Sequence, residues 1–234
     1  MRRMLLYVLI SLTFFIIAAV HNSLSKNAGD VVAAPGDVPI ILIDPGHGGM
    51  DGGASASDGT LEKHINLAIG TDLYDLFMLW GYPVRSTRLT DISVHDADAV
   101  GTRRIKVSDM HNRLRLYEDS DMVISLHQNH FPVEKYHGTQ VFYSSNHPYS
   151  AALAAAVRGS VIANLQPNNT RELKSATDGI YLLHHTTRPA ILVECGFLSN
   201  AQECAVLKDA DYQRKLAFSI FEGFWKSKMS IGEE

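Results

Sequence analysis

Cysteine is scarce in this chain: its 234 residues contain only Cys195 and Cys204. Two thiols exclude a disulfide framework as the source of stability. Internal repeats and low-complexity tails are absent, which excludes a separate module built of repeats. Neither sign of charge dominates. With 21 basic and 25 acidic residues the net charge is -4, histidine counted neutral, and nothing electrostatic favours nucleic acid as a ligand. The glycine-rich loop after the first strand-like run has neither the P-loop nor the dinucleotide spacing, so a phosphate cradle has no support there.

A long apolar run occurs once, at the start. Arg2 and Arg3 precede the largely apolar stretch Met4 to Val20. Its 17 residues would span roughly 26 Å as a helix, against a hydrocarbon core of about 30 Å. Residues 1–21 are therefore a signal peptide or a signal anchor. The small-residue pattern that cleavage requires is poorly matched at Ala18-Ala19-Val20-His21 and at Val32-Ala33-Ala34-Pro35, so we read an uncleaved anchor. The leading positive charges keep the N-terminus inside and send the rest across the membrane. Residues 22–37 mix small and polar residues without period and read as a linker. Residues 38–228 are long enough for one domain with a substantial core, and 229–234 form a tail.

Within the domain, strand and helix patterns alternate. This is the signature of an α/β fold with a twisted, mainly parallel sheet of about six strands flanked by helices. Ile40 to Ile43 is an apolar run rich in β-branched residues that stops at Asp44-Pro45-Gly46-His47-Gly48-Gly49. Met122 to Leu126 is a second run, followed by His127. Ala190 to Val193 is a third, followed by Glu194. Chemically able side chains thus stand just past the carboxyl ends of three buried strands, the edge where α/β proteins collect ligands. Glu62 opens a helical pattern at Leu61, Ile65, Ile69, Leu73 and Leu76 that ends at Gly81, with Asn66 four residues on along the same face. Further strands are expected at Tyr82 to Thr87, Gly138 to Tyr143 and Ile180 to Leu183. Helices are expected at Arg103 to Tyr117, Tyr149 to Leu165 and Gln202 to Lys226, with Asn200 as a cap for the last.

Asp44-Pro45-Gly46-His47-Gly48-Gly49, Glu62 with Asn66, Ser125-Leu126-His127-Gln128-Asn129 and Leu192 to Asn200 together resemble the motifs of the zinc-dependent N-acetylmuramoyl-L-alanine amidases, the family called amidase 3. The likeness runs from about Ile40 to about Trp225. It implies the same fold, one zinc ion held by His47, Glu62 and His127, and Glu194 as the catalytic carboxylate. It implies peptidoglycan as substrate, cleaved between N-acetylmuramic acid and L-alanine. The short chain, the Arg104 to Asp109 stretch and Val193-Glu194-Cys195-Gly196-Phe197 are most similar to the spore germination members. That narrower likeness implies a role in cortex maturation through muramic-δ-lactam, a deacetylase acting on the product, an accessory lipoprotein in some species, and a place outside the membrane in the spore envelope. The rival functions are a zinc peptidase acting within the stem peptide and a catalytically inactive peptidoglycan-binding or regulatory domain.

The residue chemistry agrees with that implication. Two imidazoles and a carboxylate leave a fourth zinc position open, as catalytic sites do. A carboxylate near the metal but outside its ligand set can move the proton, and Glu194 is the candidate. Asn66 and Ser125 either orient Glu62 and His127 or make ordinary local hydrogen bonds. Arg88 either meets a peptide carboxylate or fixes its own loop through Asp91. Asn129 is a further candidate in the His127 motif. His130 would share a face with His127 if the chain turned helical after Leu126, but His127 follows its strand directly and is preferred. Cys195 stands where the family it resembles has an apolar residue or cysteine, which implies a small buried thiol rather than a pair with Cys204; a continuing strand would point it away from Glu194, against zinc ligation.

Overall fold

The computed structural model describes residues 38–229. The N-terminal segment, the linker and the tail from residue 230 lie outside the described residues. β1 (Ile41–Pro45) is buried on both faces, with Ile41 and Ile43 in one core and Leu42 in another. α1 (Glu62–Leu79) buries Ile65, Ile69, Leu73 and Phe77 at four-residue spacing, each worth about 1.5–3 kcal/mol when removed from water. It stops at Gly81, whose left-handed backbone turns the chain into β2 (Val84–Ser86). α2 (Thr102–Glu118) and β3 (Met122–Asn129) follow, then β4 (Gln140–Tyr143), α3 (Tyr149–Asn164) and β5 (Lys174–Ser175). α4 (Tyr181–His185), β6 (Ala190–Phe197), α5 (Ala201–Leu207) and α6 (Ala210–Met229) complete the described chain.

The six strands form one sheet in the order β2-β1-β3-β6-β4-β5. β1, β2, β3 and β6 run parallel, while β4 is antiparallel to β6 and carries β5 parallel to itself. The α/β expectation of a mainly parallel sheet of six strands is met. Strand alternation divides the apolar side chains between two cores. Ile43, Ile124, Leu126, Ile191 and Val193 pack under α1, α3 and α6. Leu42, Val123, Ala190 and Leu192 pack with Tyr117 of α2 and Leu182 and Leu183 of α4. The second cover is the lighter one, and it leaves the carboxyl ends of β1, β3 and β6 open on that side.

Three expectations need correction. Ile180 to Leu183 is not a strand: His184 N–H donates to the Ile180 carbonyl at 3.0 Å and Thr186 N–H to Leu182 at 3.0 Å. Leu182 and Leu183 both enter one core, which neighbouring residues of a strand do not do. The strand nearby is the two-residue, exposed β5, whose Lys and Ser carry no apolar signal. Glu194 lies within its strand rather than just past it, because β6 continues through Phe197. The closing helical region breaks at Lys208-Asp209, and Asn200 caps its first part by accepting from Glu203 N–H at 3.0 Å.

Candidate active site

β3 and β6 are in register at His127 and Glu194, so both side chains leave the sheet on the same face. One row earlier, Asp44, Ser125 and Leu192 are neighbours. The chain leaves β1 through Gly46, whose N–H still donates to Leu126 at 2.9 Å, and His47 then takes a left-handed φ of 64°. That conformation is costly for a residue with a side chain and persists only where the surroundings enforce it. Here it turns the His47 imidazole toward His127, with ring centroids 4.9 Å apart.

Glu62 arrives from the first turn of α1 and joins the two histidines. Its Oε1 lies 3.2 Å from His47 Nε2 and 2.9 Å from His127 Nδ1. The same oxygen accepts from Gln128 N–H at 3.0 Å and Asn66 Nδ2 at 3.2 Å; Oε2 accepts from Ala54 N–H at 2.8 Å. The ligand-type atoms of His47, Glu62 and His127 all lie within 4.8 Å of one another, the donor set of an open metal site. Electrostatics point the same way. Burial works against charge on His47, yet hydrogen bonds to Asp51 and Glu62 and their negative fields raise its pKa to about 9. A field that favours a proton on that imidazole favours a metal cation beside it. Burial would raise Glu62, but His127 and His47 hold it well below the carboxylate range.

Two glycines make the approach possible. A Cβ on Gly46 would stand 2.2 Å from the His127 ring; one on Gly53 would stand 2.5 Å from Glu62 Oε2 and 2.7 Å from His47 Cδ2.

Glu194 shares a cleft of about 370 Å³ with the cluster, together with Asp109, Met110 and the α4 residues Tyr181 and Leu182. Its Oε2 is buried and has no hydrogen-bond partner within the described residues. Burial raises its pKa to about 7; His127 and His47 oppose that rise and Glu62 adds to it.

The remaining expectations divide. Asn66 does hold Glu62, and its Oδ1 accepts from Gln128 Nε2 at 3.0 Å. Ser125 does not touch His127; its hydroxyl donates to Asp44 Oδ2 at 2.9 Å. Arg88 neither faces the cleft nor pairs with Asp91. It is 2% exposed and donates to the carbonyls of Pro45, Gly46, Lys63 and Thr90, while Asp91 pairs with Lys63 at 2.7 Å. The Asn129 carbonyl accepts from Leu198 N–H at 2.8 Å. His130 is exposed beyond the end of β3, so the helical turn that would have aimed it at the metal does not exist. Cys195 and Cys204 are free and buried, and burial pushes the Cys195 thiol far up.

Sequence reasoning missed three residues. Asp51 Oδ2 sits 3.0 Å from His47 Nδ1 and fixes that ring; a carboxylate four residues after a histidine was the available signal. Asp44, completely buried, accepts from Tyr117, Thr87 and Ser125 hydroxyls and from Arg113 Nη1. Arg113 also donates to the His47 carbonyl at 2.7 Å and to Asp109 at 2.7 Å, and nothing in the charged helix α2 singled it out.

The family model described as N-acetylmuramoyl-L-alanine amidase matches residues 41–225. The chain belongs to the N-acetylmuramoyl-L-alanine amidase family. It is accordingly a hydrolase acting on peptidoglycan. It is 36% identical over 186 residues to the germination-specific N-acetylmuramoyl-L-alanine amidase of Bacillus subtilis, covering 79% of this chain and 77% of that one. Among solved structures it resembles the CwlD amidase from Clostridioides difficile in complex with the GerS lipoprotein, with 37% identity, a TM-score of 0.79, and coverage of 82% of this chain and 99% of that one. It also resembles amidase AmiC2 of Nostoc punctiforme, at 27% identity and a TM-score of 0.67 over 81% of this chain and 97% of that one.

Proposed function

We propose that this amidase is a zinc enzyme in which His47, Glu62 and His127 hold the ion and Glu194 is the catalytic carboxylate. The observation that carries the proposal is the unpartnered, buried Glu194 Oε2 in the same cleft as a three-ligand cluster of catalytic type. Bound zinc would supply a water of lowered pKa and polarise the amide carbonyl. Glu194 takes the proton of the attacking water and returns it to the amine of the departing L-alanine. Asp51 and Asn66 keep His47 and Glu62 aimed.

Similarity to the germination-specific relative favours the spore cortex as the site of action, with peptide-free muramic acid passed to a deacetylase for δ-lactam formation. The lipoprotein held by the Clostridioides difficile amidase favours an accessory lipoprotein for this chain too. Export and anchoring rest on Met4 to Val20; among the described residues no helix is long and apolar enough to cross a membrane.

Digestion of purified peptidoglycan tests the bond cleaved. The expected products are stem peptides with a free N-terminal L-alanine and muramic acid bare of peptide. Cuts inside the stem peptide would make it a zinc peptidase instead, and tight binding without products would make it a regulatory domain.

A further inference from the structure

The end of the sheet opposite the cleft carries an exposed aromatic face. α1 terminates there with Met78, Leu79 and Trp80; Leu79 is 80% exposed and Trp80 54%. α6 runs alongside and contributes Phe218 and Trp225, 49% and 38% exposed. The two indole rings lie 5.2 Å apart, tilted at 54°, and Tyr82 meets Trp225 edge-on at 6.5 Å. Soluble domains seldom spend several large apolar side chains on one surface without a use for them.

The chain enters the domain at that same end. Ile40 N–H donates to Asp121 at 2.8 Å, Ile41 N–H donates to Pro83 at 2.9 Å, and Pro83 is next to Tyr82. Lys228, three residues past Trp225, lies within electrostatic reach of Asp121. The 16 residues from 22 to 37 span at most roughly 55 Å even when fully drawn out. If Met4 to Val20 anchors the protein, its tether leaves the domain beside Pro83 and Tyr82, at the aromatic end rather than at the cleft. Indole and phenol rings prefer the headgroup level of a membrane, and a lysine such as Lys228 near them suits anionic lipid.

We infer that the Leu79-Trp80-Phe218-Trp225 face rests on the lipid headgroup region of the membrane that carries the N-terminal anchor, with the cleft turned toward the wall. The inference rests on the anchor reading proposed above. The tether makes contact an intramolecular event, so a small surface with little affinity of its own is enough.

Trp80 and Trp225 are the only tryptophans in the chain, so its indole fluorescence reports on this face alone. The full chain is reconstituted into phosphatidylcholine–phosphatidylglycerol vesicles, with and without lipid brominated near the headgroup end of the acyl chain. The expected result is flotation with the vesicles, emission shifted to the blue, and loss of that emission in brominated vesicles. Leu79→Glu, at a position exposed enough to leave folding and peptidoglycan cleavage intact, should still float but emit at longer wavelength without quenching. Flotation with unquenched emission overturns the inference and leaves the anchor standing; a blue shift that bromine does not touch means protein covers the face, and also overturns it. Quenching equal in Leu79→Glu and the parent contradicts the assigned face. Failure to float removes both the anchor and the inference.

Discussion

At the level of single residues, the site depends on side chains that are absent as well as those present. Gly53 has a left-handed φ of 68°, and a methyl there would press on Glu62 and His47 together. Gly53→Ala is expected to cost about 1–2 kcal/mol of stability from the backbone alone and to lower zinc content and turnover in parallel. Thermal melting with metal analysis checks it, and a variant with parental zinc content would refute the crowding. Asp51→Asn leaves a partly exposed position folded but removes the negative charge behind His47. Zinc affinity should fall by about 10–100-fold with little change in melting, read by chelator competition. His127 and Glu194 were legible in the sequence because each follows an apolar run directly, and His47 because it stands in the proline- and glycine-rich loop that ends one. Arg113 was not, because its partners are set by tertiary contacts, and Asp51 left only its four-residue spacing from His47 as a signal. Ser125 shares a stretch with His127 and Arg88 lies just past β2, yet their side chains brace the Asp44 network and the His47 loop.

At the level of elements, α2 is the brace of the His47 loop. Arg113 reaches from it to Asp44, Pro45 and His47, tying the end of β1 to the helix. Arg113→Met would strand the buried Asp44 carboxylate, at a cost of about 3–5 kcal/mol, visible as a lowered denaturant midpoint. The pair also sets an acid limit. Burial alone would raise Asp44, but Arg113 and Tyr117, with smaller help from His127 and Thr87, bring it from 3.8 down to about 2. A depressed carboxyl stabilises the fold above its unfolded pKa and loses that contribution as pH falls through its folded one. Roughly 2 kcal/mol should therefore disappear between pH 3.8 and about 2, and Asp44→Asn should flatten that part of the stability profile. A wild-type profile already flat there would contradict the role of the pair. The element most poorly legible was α4. Its apolar core is too short for periodicity to separate helix from strand; the backbone hydrogen bonds from His184 and Thr186 and the shared burial of Leu182 and Leu183 decide it.

At the level of the whole molecule, one face of the sheet is covered by α1, α3 and α6 and the other by α2 and the single turn of α4. Unequal cover leaves the carboxyl ends of β1, β3 and β6 exposed to substrate on the lighter side, where His47, His127 and Glu194 emerge. The alternation of strand and helix made this α/β architecture legible. The reversal of β4 and the existence of β5 were not, since strand direction and two polar residues leave no hydrophobic trace.

The central claim is that His47, Glu62 and His127 bind zinc while Glu194 moves the proton. Zinc stoichiometry and peptidoglycan cleavage, measured side by side on the parent, His127→Ala and Glu194→Gln, test it most directly. One zinc and active cleavage are expected in the parent. His127→Ala should lose both, and Glu194→Gln should keep its zinc while losing turnover by at least about 100-fold. Parental cleavage by Glu194→Gln, or full zinc retention by His127→Ala, would contradict the assignment.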